Sequence, residues 1–575
     1  MTKLHEQITE TQTWALSFTL QTMHNGTLVK MVEDGKNTVA LSLKDGKLQV
    51  ALRTYRKDNP LQMATPVSQG DAVSLVWLGS RVELRIGNTV AEEDWPIGSC
   101  FQGGETEIIA QEGVIDVAFA PCAAPLQEAE SEFTNAQYWT PQWAVENVGD
   151  CMPFADDGVY HLFYLKDRHS HTSKWGLGAH QFAHVSTKDF KTWTKHPLAV
   201  PITHQWEGSI CTGSILKAQG QYYAFYAVRM SDGTGAKLSW AVSKDCVHFE
   251  KSEQYFTLQD PYEKTSARDP MVFQDEQGVY HMLVTTSLVD KPEPRNGCLA
   301  HLTSNDLQHW QQHDPFIVPG YTDQPECSDY FCWNGWYYLI FGNYGFAKYR
   351  YSRSPFGPWI KPQNEALGGY VYRVPKTAAF GDNRRIAAGF LPHAQNGDSY
   401  AGNVVFRELI QNQDGTLDIA NVPELLPQPS VGQGSWVVRP QAPEEYAQAD
   451  WVKLPAASFV RLKIKPDSPS VSYGLTLRQE GGRGYEIRLD PFWQKAGIYR
   501  RDGNLFFDAD RSALPGVKGL EDEVILELSV YRNILDVCIN GRWATLRRVD
   551  EWDETAGYTL GGFSNGGGAS FAVLP

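Results

Sequence analysis

The sequence has no uninterrupted run of eighteen apolar residues, so no segment is predicted to span a membrane. Its nine cysteines are scattered and lack CxxC spacing, which predicts neither a disulfide framework nor a zinc site. The formal net charge of −16 argues against a nucleic-acid partner, because phosphate neutralisation needs a basic surface. The N-terminal segment Met1–Gln7 lacks the apolar core of a signal peptide, so a reducing, cytoplasmic location is expected.

The composition instead favours an all-β protein of several domains. With 575 residues, the chain is too long for one hydrophobic core, and two to four domains are expected. Aromatic residues make up 12% of the chain, and 50 glycines and 32 prolines punctuate it. Many short aromatic strands joined by glycine-rich turns are typical of β-sandwiches, barrels and propellers.

The two ends of the chain, residues 1–130 and 435–575, are each predicted to form a β-sandwich. Apolar and polar residues alternate there with a period of two, as in Leu16–Leu20, Val82–Ile86 and Tyr485–Leu489. That alternation is the pattern of a strand with one face buried.

Residues 135–430 carry an internal repeat, which predicts a five-bladed β-propeller between the two sandwiches. The repeated unit is a polar turn with an aspartate that ends in an aromatic residue, and it occurs in Ser186–Trp193, Ser243–Phe249, Ser304–Trp310 and, in degenerate form, Ser352–Trp359. The aspartates of the first three copies, Asp189, Asp245 and Asp306, are 56 and 61 residues apart. This period fits four-stranded blades with enlarged loops. The alternative is a large sandwich with coincidental turns.

Three carboxylates recur in the same local setting within this segment. Asp150, Asp269 and Glu326 each lie at or before a short strand, which is followed by a tight turn and an aromatic strand. A radial fold would bring the starts of equivalent strands to one end of its axis, so we expect the three acids to converge there. Taken singly, each acid would be interpreted as a solvated turn residue.

Three converging carboxylates with many aromatic residues suit the cleavage of a glycosidic bond. One carboxylate attacks or activates water, and a protonated acid releases the leaving group. The predicted sugar-contacting aromatics are Trp143, Trp175, Trp206 and Trp333. No cofactor and no metal are predicted, although His169, His171, His180 and His184 lie close together in the sequence. The expected partner is therefore an oligosaccharide.

The motifs around the acids resemble those of glycoside hydrolase family 32, the invertase, inulinase and levanase family. Arg268–Pro270 resembles its Arg-Asp-Pro motif, Glu326-Cys327 its Glu-Cys motif, and Tyr160–Tyr164 the strand after its nucleophile. The resemblance implies a propeller followed by a sandwich and cleavage of fructofuranosides with retention. It also implies that Asp150 is the nucleophile, that Asp269 stabilises the transition state and that Glu326 is the general acid/base.

Other segments extend the resemblance and add candidate substrate-binding residues. Ala183–Trp193, which contains His184, and Thr212–Ser214 resemble family segments, and Arg268 lies within the Arg-Asp-Pro motif. We therefore expect Arg268, His184 and Ser214 to bind substrate along with the four tryptophans. A retaining reaction predicts that the carboxyl groups of Asp150 and Glu326 lie about 5–5.5 Å apart.

The first family motif is altered, which keeps two other functions open. Where the family has Trp-Met-Asn-Asp-Pro-Asn-Gly, this chain has Glu146–Phe154, and Leu165 takes the place of a glutamine. The first alternative is an inverting furanosidase of the family 43 type, with the same propeller and three acids. The second is a non-catalytic, lectin-like protein, although binding alone does not need a matched acid pair.

Overall fold

The structure is a computed structural model. It describes every residue except 1, 56, 127–128, 143–145, 169–178, 290–294, 394–399, 443–444, 468–471, 482–483, 503–504, 508–511 and 550, and it does not describe the side chains of 57–60, 502 and 505–507. The described residues form β-strands with a single turn of 3-10 helix at Pro423–Leu425, and none forms an α-helix. No described helix is long and apolar enough to cross a membrane. The prediction of an all-β protein is confirmed.

The N-terminal strands form two antiparallel sheets with a shared core. The strands are β1 (Thr2–Gln7), β2 (Trp14–Leu20), β3 (Gly26–Glu33), β4 (Lys36–Lys44), β5 (Lys47–Thr54), β6 (Lys57–Pro66), β7 (Ala72–Trp77), β8 (Val82–Ile86), β9 (Thr89–Asp94), β10 (Glu105–Ala110) and β11 (Val114–Ala120). One sheet has the order β1-β10-β3-β4-β5-β6 and the other β11-β2-β7-β8-β9. Alternate residues of β2 are buried, as the sequence pattern predicts, and Trp14 stacks on Trp77 with ring centroids 6.1 Å apart.

Five groups of antiparallel strands follow. The first is β12 (Ser131–Thr134), β13 (Glu146–Asp156), β14 (Val159–Arg168), β15 (Gln181–Thr187) and β16 (Thr192–Lys195); the second is β17 (Glu207–Ala218), β18 (Gln221–Met230), β19 (Ala236–Ser243) and β20 (Phe249–Lys251); the third is β21 (Arg268–Gln274), β22 (Tyr280–Ser287), β23 (Gly297–Ser304) and β24 (Gln311–Gln312); the fourth is β25 (Glu326–Trp333), β26 (Trp336–Asn343) and β27 (Phe346–Ser352); the fifth is β28 (Arg373–Phe380), β29 (Arg384–Pro392), β30 (Gly402–Gln411) and β31 (Leu417–Ala420). Within each group, strands pair mainly with their sequence neighbours.

The strands β13, β17, β21, β25 and β28 contact one another in sequence, and β28 contacts β13. Each of these five strands contains a shift of register against its pairing partner. The shifts lie between Val148 and Cys151, Cys211 and Gly213, Arg268 and Met271, Glu326 and Asp329, and Arg373 and Lys376. Such β-bulges bend a strand and re-aim its side chains, and they are frequent beside active sites.

The repeated polar turns connect the last two strands of each of the first three groups. In the first three copies, one carboxylate oxygen of Asp189, Asp245 or Asp306 accepts two backbone N–H bonds from the residues that follow, at 2.8–3.0 Å. A preceding hydroxyl, as in Ser243 and Ser304, contacts the same aspartate. These contacts close the turn locally, which explains why the repeat is visible in the sequence.

The C-terminal strands form two sheets around a second apolar core. They are β32 (Ser435–Val438), β33 (Tyr446–Leu454), β34 (Ala457–Pro466), β35 (Ser472–Arg478), β36 (Gly484–Asp490), β37 (Lys495–Asp502), β38 (Leu505–Phe507), β39 (Leu514–Pro515), β40 (Val524–Tyr531), β41 (Ile534–Ile539), β42 (Trp543–Arg548), β43 (Tyr558–Asn565) and β44 (Ala569–Leu574). One sheet has the order β33-β43-β35-β36-β37-β38, with β39 on β37, and the other runs β42-β41-β40-β34-β44-β32. Leucine, isoleucine and valine side chains from both sheets fill the space between them.

Both end regions are tied to the middle of the chain by buried contacts. On the N-terminal side, Trp95 packs into the core between the first and second groups, and Arg168 pairs with Glu92 at 2.8 Å. On the C-terminal side, Arg407 pairs with Asp536 at 2.6 Å, and both side chains are buried. The first and fifth groups and the C-terminal strands also belong to one continuous path of paired strands.

Candidate active site

The three predicted acids converge on one cavity, although they come from three different groups of strands. Asp150 lies in β13, Asp269 in β21 and Glu326 in β25, each beside the bulge of its strand. The cavity has a volume of about 420 Å³, and all three carboxylates line it. The hairpin pattern read from the sequence thus brings the acids together as expected.

Asp150 is held by groups from three separate parts of the chain. Its carboxylate oxygen Oδ2 accepts a hydrogen bond from the hydroxyl of Thr212 and contacts the Sγ of Cys327 at 3.5 Å. The hydroxyl of Tyr400 accepts the backbone N–H of Asp150 at 3.1 Å. Burial, and next the charge of Asp269, raise the pKa of Asp150, whereas the Thr212 bond opposes that rise.

The approach of Tyr400 requires a glycine before the acid. A Cβ atom on Gly149 would lie only 2.5 Å from the tyrosine hydroxyl oxygen. Any larger residue at this position would push away the ring that fixes the backbone of Asp150. Gly149 therefore contributes to the site although it carries no reactive group.

Asp269 is oriented by the backbone of the Glu-Cys segment. The N–H of Cys327 donates to Oδ2 of Asp269 at 2.9 Å. Asp269 has a φ of 56° and Cys327 a φ of 51°, so both residues occupy the left-handed region. Non-glycine residues seldom adopt this conformation, and such strained positions concentrate at functional sites. The two bulges therefore aim both residues into the cavity.

Glu326 shares the other side of the cavity with Arg268. The guanidinium of Arg268 donates to Oε1 of Glu326 at 2.7 Å and lies 3.8 Å from Oδ2 of Asp269. The Glu326 side chain keeps 40% of its surface exposed because it faces the open cavity. The protein around it still displaces solvent, and this desolvation raises the pKa of Glu326 while Arg268 opposes the rise.

Two of the acids, together with Cys327, form the one group of described residues whose geometry could hold a cation. Oxygen atoms of Asp150 and Asp269 and the Sγ of Cys327 all lie within 4.8 Å of one another. Burial raises the pKa of the Cys327 thiol well above its ordinary value, and the two carboxylates add to the effect. The thiol is therefore neutral and acts as a weak hydrogen-bond donor to Asp150.

Only some of the predicted substrate-binding residues lie at the cavity. Arg268 lines it, whereas Trp143 and Trp175 are outside the described residues. Trp206 immediately precedes β17 and stacks on His204 with ring centroids 5.5 Å apart, but it does not line the cavity. Trp333 is at the opposite end of β25 from Glu326, about 23 Å away at the rise of an extended strand.

The side chains of Ser214 and His184 make contacts within the fold and do not line the cavity. The hydroxyl of Ser214 donates to the carbonyl of Pro270 at 2.9 Å and accepts the N–H of Val272 at 3.0 Å, which joins β17 to β21. His184 is 0% exposed and stacks on Phe163 with ring centroids 4.1 Å apart. A side chain without exposed surface cannot contact a sugar in this conformation, so the structure does not place His184 or Ser214 at a substrate.

His184 belongs to a row of histidines that occurs twice. In the first group of strands, Nδ1 of His161 lies 2.9 Å from Nε2 of His184, whose ring stacks on His196. In the third group, Nδ1 of His281 lies 2.8 Å from Nε2 of His301, which is followed by His313. We call these two rows the histidine ladders. Burial lowers the pKa of both His161 and His301 to about 4.

Several residues that shape the cavity are not predicted from the sequence. Thr212 and Tyr400 contact Asp150, and the ring of His180 lies 4.8 Å from that of Tyr400. His180 is in turn 3.0 Å from Asp167. Thr212 could have been found from its place beside Gly213-Ser214, whereas Tyr400 lies 250 residues after Asp150 with no motif around it.

Comparison with known proteins identifies the segment that contains Asp269 and Glu326 and begins one residue after Asp150. The N-terminal domain of glycosyl hydrolases family 32 matches residues 151–353. Sucrose-6-phosphate hydrolase of Escherichia coli is 24% identical over 418 residues, which are 66% of this chain and 82% of that protein.

Solved structures show the same fold at lower identity. Exo-inulinase from Aspergillus awamori has a TM-score of 0.57 at 14% identity, over 77% of this chain and 99% of that one. Fructan 1-exohydrolase IIa from Cichorium intybus, in complex with 1-kestose, has a TM-score of 0.56 at 15% identity, over 76% and 96%. The resemblance to glycoside hydrolase family 32 that the motifs indicate is confirmed over residues 151–353, which contain Asp269 and Glu326.

Proposed function

We propose that this glycosidase is a β-fructofuranosidase that acts on fructose-containing oligosaccharides with retention of configuration. The observation that carries the proposal is the cavity in which Asp150, Asp269 and Glu326 meet from three groups of strands. The match to the family 32 domain and the relatives named above support a fructoside as the substrate. The names of those relatives refer to sucrose 6-phosphate, inulin and fructan.

We assign the attacking carboxylate to Asp150. It is half-buried, and the Thr212 bond favours its ionised form against the effect of burial. In the first step its oxygen forms a bond to the anomeric carbon as the bond from that carbon to the leaving group breaks. The product is a covalent fructosyl–enzyme ester. The ordered backbone of Asp150, fixed by Tyr400, keeps the carboxylate in position.

We assign the proton transfers to Glu326. Its raised pKa favours the protonated form that the first step needs, and its open position allows contact with the leaving group. Glu326 gives its proton to the glycosidic oxygen, then removes a proton from the water that hydrolyses the ester. Asp269, held by the N–H of Cys327, contributes a negative charge next to the developing oxocarbenium ion.

We also propose the architecture that the sequence predicts: a five-bladed propeller at 135–430 between sandwiches at 1–130 and 435–575. The ring of contacts from β13 through β17, β21 and β25 to β28 supports five blades around one axis. The two-sheet arrangement of the strands at each end supports the sandwiches. A cytoplasmic location and the lack of a nucleic-acid partner stay proposals from the sequence.

The fructose-binding subsite is where this chain departs from the family pattern. Leu165 lines the cavity at the position of a usual glutamine, so one hydrogen bond to the sugar is replaced by an apolar surface. Arg268 and Asn343 also line the cavity and supply donors for sugar hydroxyls. We therefore expect fructosides to be cleaved, with a preference among linkages that differs from that of invertase.

A substrate screen with analysis of the first product anomer tests the proposal. Sucrose, 1-kestose, inulin, levan, difructose anhydrides and arabinofuranosides would be compared, and NMR spectra recorded before mutarotation. We expect fructose to be released with its original β configuration. Inverted products, or cleavage of arabinofuranosides alone, would favour the family 43 type of enzyme. Binding of fructosides without any hydrolysis would favour the lectin-like alternative.

A further inference from the structure

A second, larger cavity lies between the fourth and fifth groups of strands and the C-terminal sheets. Its volume is about 1150 Å³, and it shares no lining residue with the cavity that holds the acids. We call it the junction cleft. Small-molecule sites usually have volumes of roughly 300–1,000 Å³, so the junction cleft has room for a longer ligand. Its walls are β27, the loop 361–368, the hairpin of β30 and β31, and the segments 514–518 and 542–544.

The floor of the junction cleft is held by backbone hydrogen bonds. β31 pairs with β42 in a parallel bridge between Ile419 and Trp543, and the N–H of Ile419 donates to the carbonyl of Arg542 at 3.0 Å. The amide of Asn364 also reaches the carbonyl of Pro515 from one wall to the other. These bonds fix the two walls relative to each other, so the cleft is a preformed site.

The walls are rich in side-chain amides, which suit a neutral, hydroxylated ligand. Six asparagines and glutamines line the cleft: Gln363, Asn364, Gln411, Asn412, Gln413 and Gln494. An amide both donates and accepts hydrogen bonds, as a sugar hydroxyl does. The charged groups nearly balance, because three cationic side chains and two carboxylates line the cleft. A phosphate or nucleic-acid ligand would need a clear excess of positive charge.

One network of these groups is already oriented. Asn412 donates to Oδ2 of Asp418 at 3.1 Å and accepts from the guanidinium of Arg542 at 2.9 Å. Arg542 itself lies 3.6 Å from Asp418. Because the three side chains hold one another, little conformational entropy would be lost when a ligand binds to them.

Two large aromatic side chains are exposed immediately before a residue that lines the cleft. Phe492 is 79% exposed and Trp493 is 73% exposed, and their rings lie 4.9 Å apart. They immediately precede Gln494, which lines the cleft. Exposed aromatic faces of this size mark binding surfaces, and a flat ring can stack on the C–H face of a sugar. The aromatic pair and the amide walls are independent features that favour the same kind of ligand.

We propose that the junction cleft and the Phe492–Trp493 pair bind a chain of the fructose polysaccharide that the catalytic cavity cleaves. This inference rests on the proposed function for the identity of the sugar. β27 links the two sites, since Phe346 lines the catalytic cavity and Tyr351 the cleft, about 17 Å apart along an extended strand. Holding the polymer there raises its effective concentration at the acids.

The test separates binding from catalysis by using the full-length Glu326→Gln protein. Its retention in gels that contain inulin or levan is compared with that of the same protein carrying Phe492→Ala and Trp493→Ala. Saturating fructose is added to occupy the catalytic cavity. Tyr55→Ala, which removes an exposed aromatic ring from the N-terminal region, is the matched control. We expect the double substitution to weaken retention about tenfold or more, the effect of losing anchor aromatics, and the control to change nothing.

The same double substitution in the active protein gives the second readout. We expect kcat/KM to fall for inulin or levan and to stay the same for sucrose, which is too short to reach the cleft. The inference is overturned if the inactive protein is not retained, if retention survives the double substitution, or if sucrose and polymer hydrolysis fall equally. Failure of the proposed function would appear separately, as an active protein that hydrolyses no fructoside.

Discussion

The two sides of the catalytic cavity hold their carboxylates in different ways. Asp150, on what we call the enclosed side, is half-buried and receives neutral hydrogen-bond donors, the hydroxyl of Thr212 and the thiol of Cys327. Glu326 is open to the cavity and is paired with a full positive charge on Arg268. Burial raises the pKa of both acids, but a neutral contact opposes that rise for Asp150 and an ionic one for Glu326. The enclosed side suits a fixed nucleophile, and the open side suits a group that exchanges protons with substrate and water.

The largest loss of activity is expected for Asp150→Asn, on the enclosed side. Without the attacking oxygen no fructosyl ester forms, so we expect kcat to fall by roughly four orders of magnitude, the scale seen when a nucleophile or its partner is removed. Steady-state hydrolysis of sucrose measures the loss, and an unchanged melting temperature confirms the fold. Residual activity within about a hundredfold of the wild type would mean that another group attacks.

Glu326→Gln should have the next largest effect, and its size should depend on the leaving group. We expect turnover of poor leaving groups to fall by about two or more orders of magnitude, the range of general acid catalysis. Activated leaving groups need less protonation and should lose less. Parallel kinetics on a natural fructoside and on an aryl fructoside make the measurement. Equal losses on both would show that Glu326 only positions the sugar.

Removal of the ionic contact, by Arg268→Gln, should change the pH dependence of the open side. Arg268 stabilises the ionised form of Glu326, so the pKa of Glu326 should rise without it. The reaction needs the protonated form, so the alkaline limb of the kcat/KM profile should move to higher pH. We expect kcat/KM itself to fall by about tenfold or more because hydrogen bonds to the sugar are lost. If the alkaline limb stays in place, Glu326 is not the group whose titration sets that limb.

The neutral contact on the enclosed side gives a smaller test, Thr212→Val, which concerns the acid limb of the pH profile. The lost hydroxyl bond no longer favours ionised Asp150, so its pKa should rise and the acid limb should move to higher pH. We expect a shift of about one pH unit or less, equivalent to one ordinary hydrogen bond. Thr187→Val, at the end of β15 and outside the cavity, is the control. A shift of the alkaline limb instead would contradict the assignment of the two acids.

The smallest expected effect concerns the fold and not the cavity. Burial holds the pKa of His161 and His301 at about 4, below the unfolded value near 6.5, so the unfolded chain binds more protons at mild acidity. Stability should be constant above about pH 6.5 and fall as the pH drops towards about 4. Neighbouring acids, Asp156 beside His161 and Asp275 beside His281, reduce the size of this effect.

Melting temperatures between pH 7 and pH 4.5 check the prediction, with a fall of several degrees expected. His161→Gln with His301→Gln should flatten the dependence, although neither residue lines the cavity. If the melting temperature stays constant over this range, protonation of the histidine ladders does not destabilise the fold. When they are compared with the pH dependence of the kinetics, these melting temperatures distinguish protonation of Asp150 from loss of the fold.

The sequence predicted best what is encoded locally. The acids were found because Asp150, Asp269 and Glu326 each belong to a hairpin whose pattern spans a few neighbouring residues. The partners of those acids were not found, because Tyr400 and Thr212 reach Asp150 only when distant strands come together. The same holds for the two ends of the chain, whose strand patterns do not reveal which residues, such as Arg407 and Asp536, join them to the middle.

Three predicted substrate-binding residues do not line the cavity, for a common physical reason. His184, Ser214 and Trp333 occur in or near family-like motifs, but a motif does not state which way a side chain points. His184 stacks with histidines of neighbouring strands, Ser214 joins β17 to β21, and Trp333 bonds to Asn383 at the far end of its strand. In each position the neighbouring strand, and not the sequence around the residue, decides the contact.

The five bulges have a consequence for changing this enzyme. At each one, residues that line the cavity interrupt a strand whose remaining residues pair regularly with the neighbouring strand. Substitutions at the bulges therefore leave the regular pattern of the rest of the strand intact. A library confined to these short segments could explore new sugar specificities with little loss of folded protein. A one-residue deletion at any bulge would instead shift the strand register and turn its side chains to the other face.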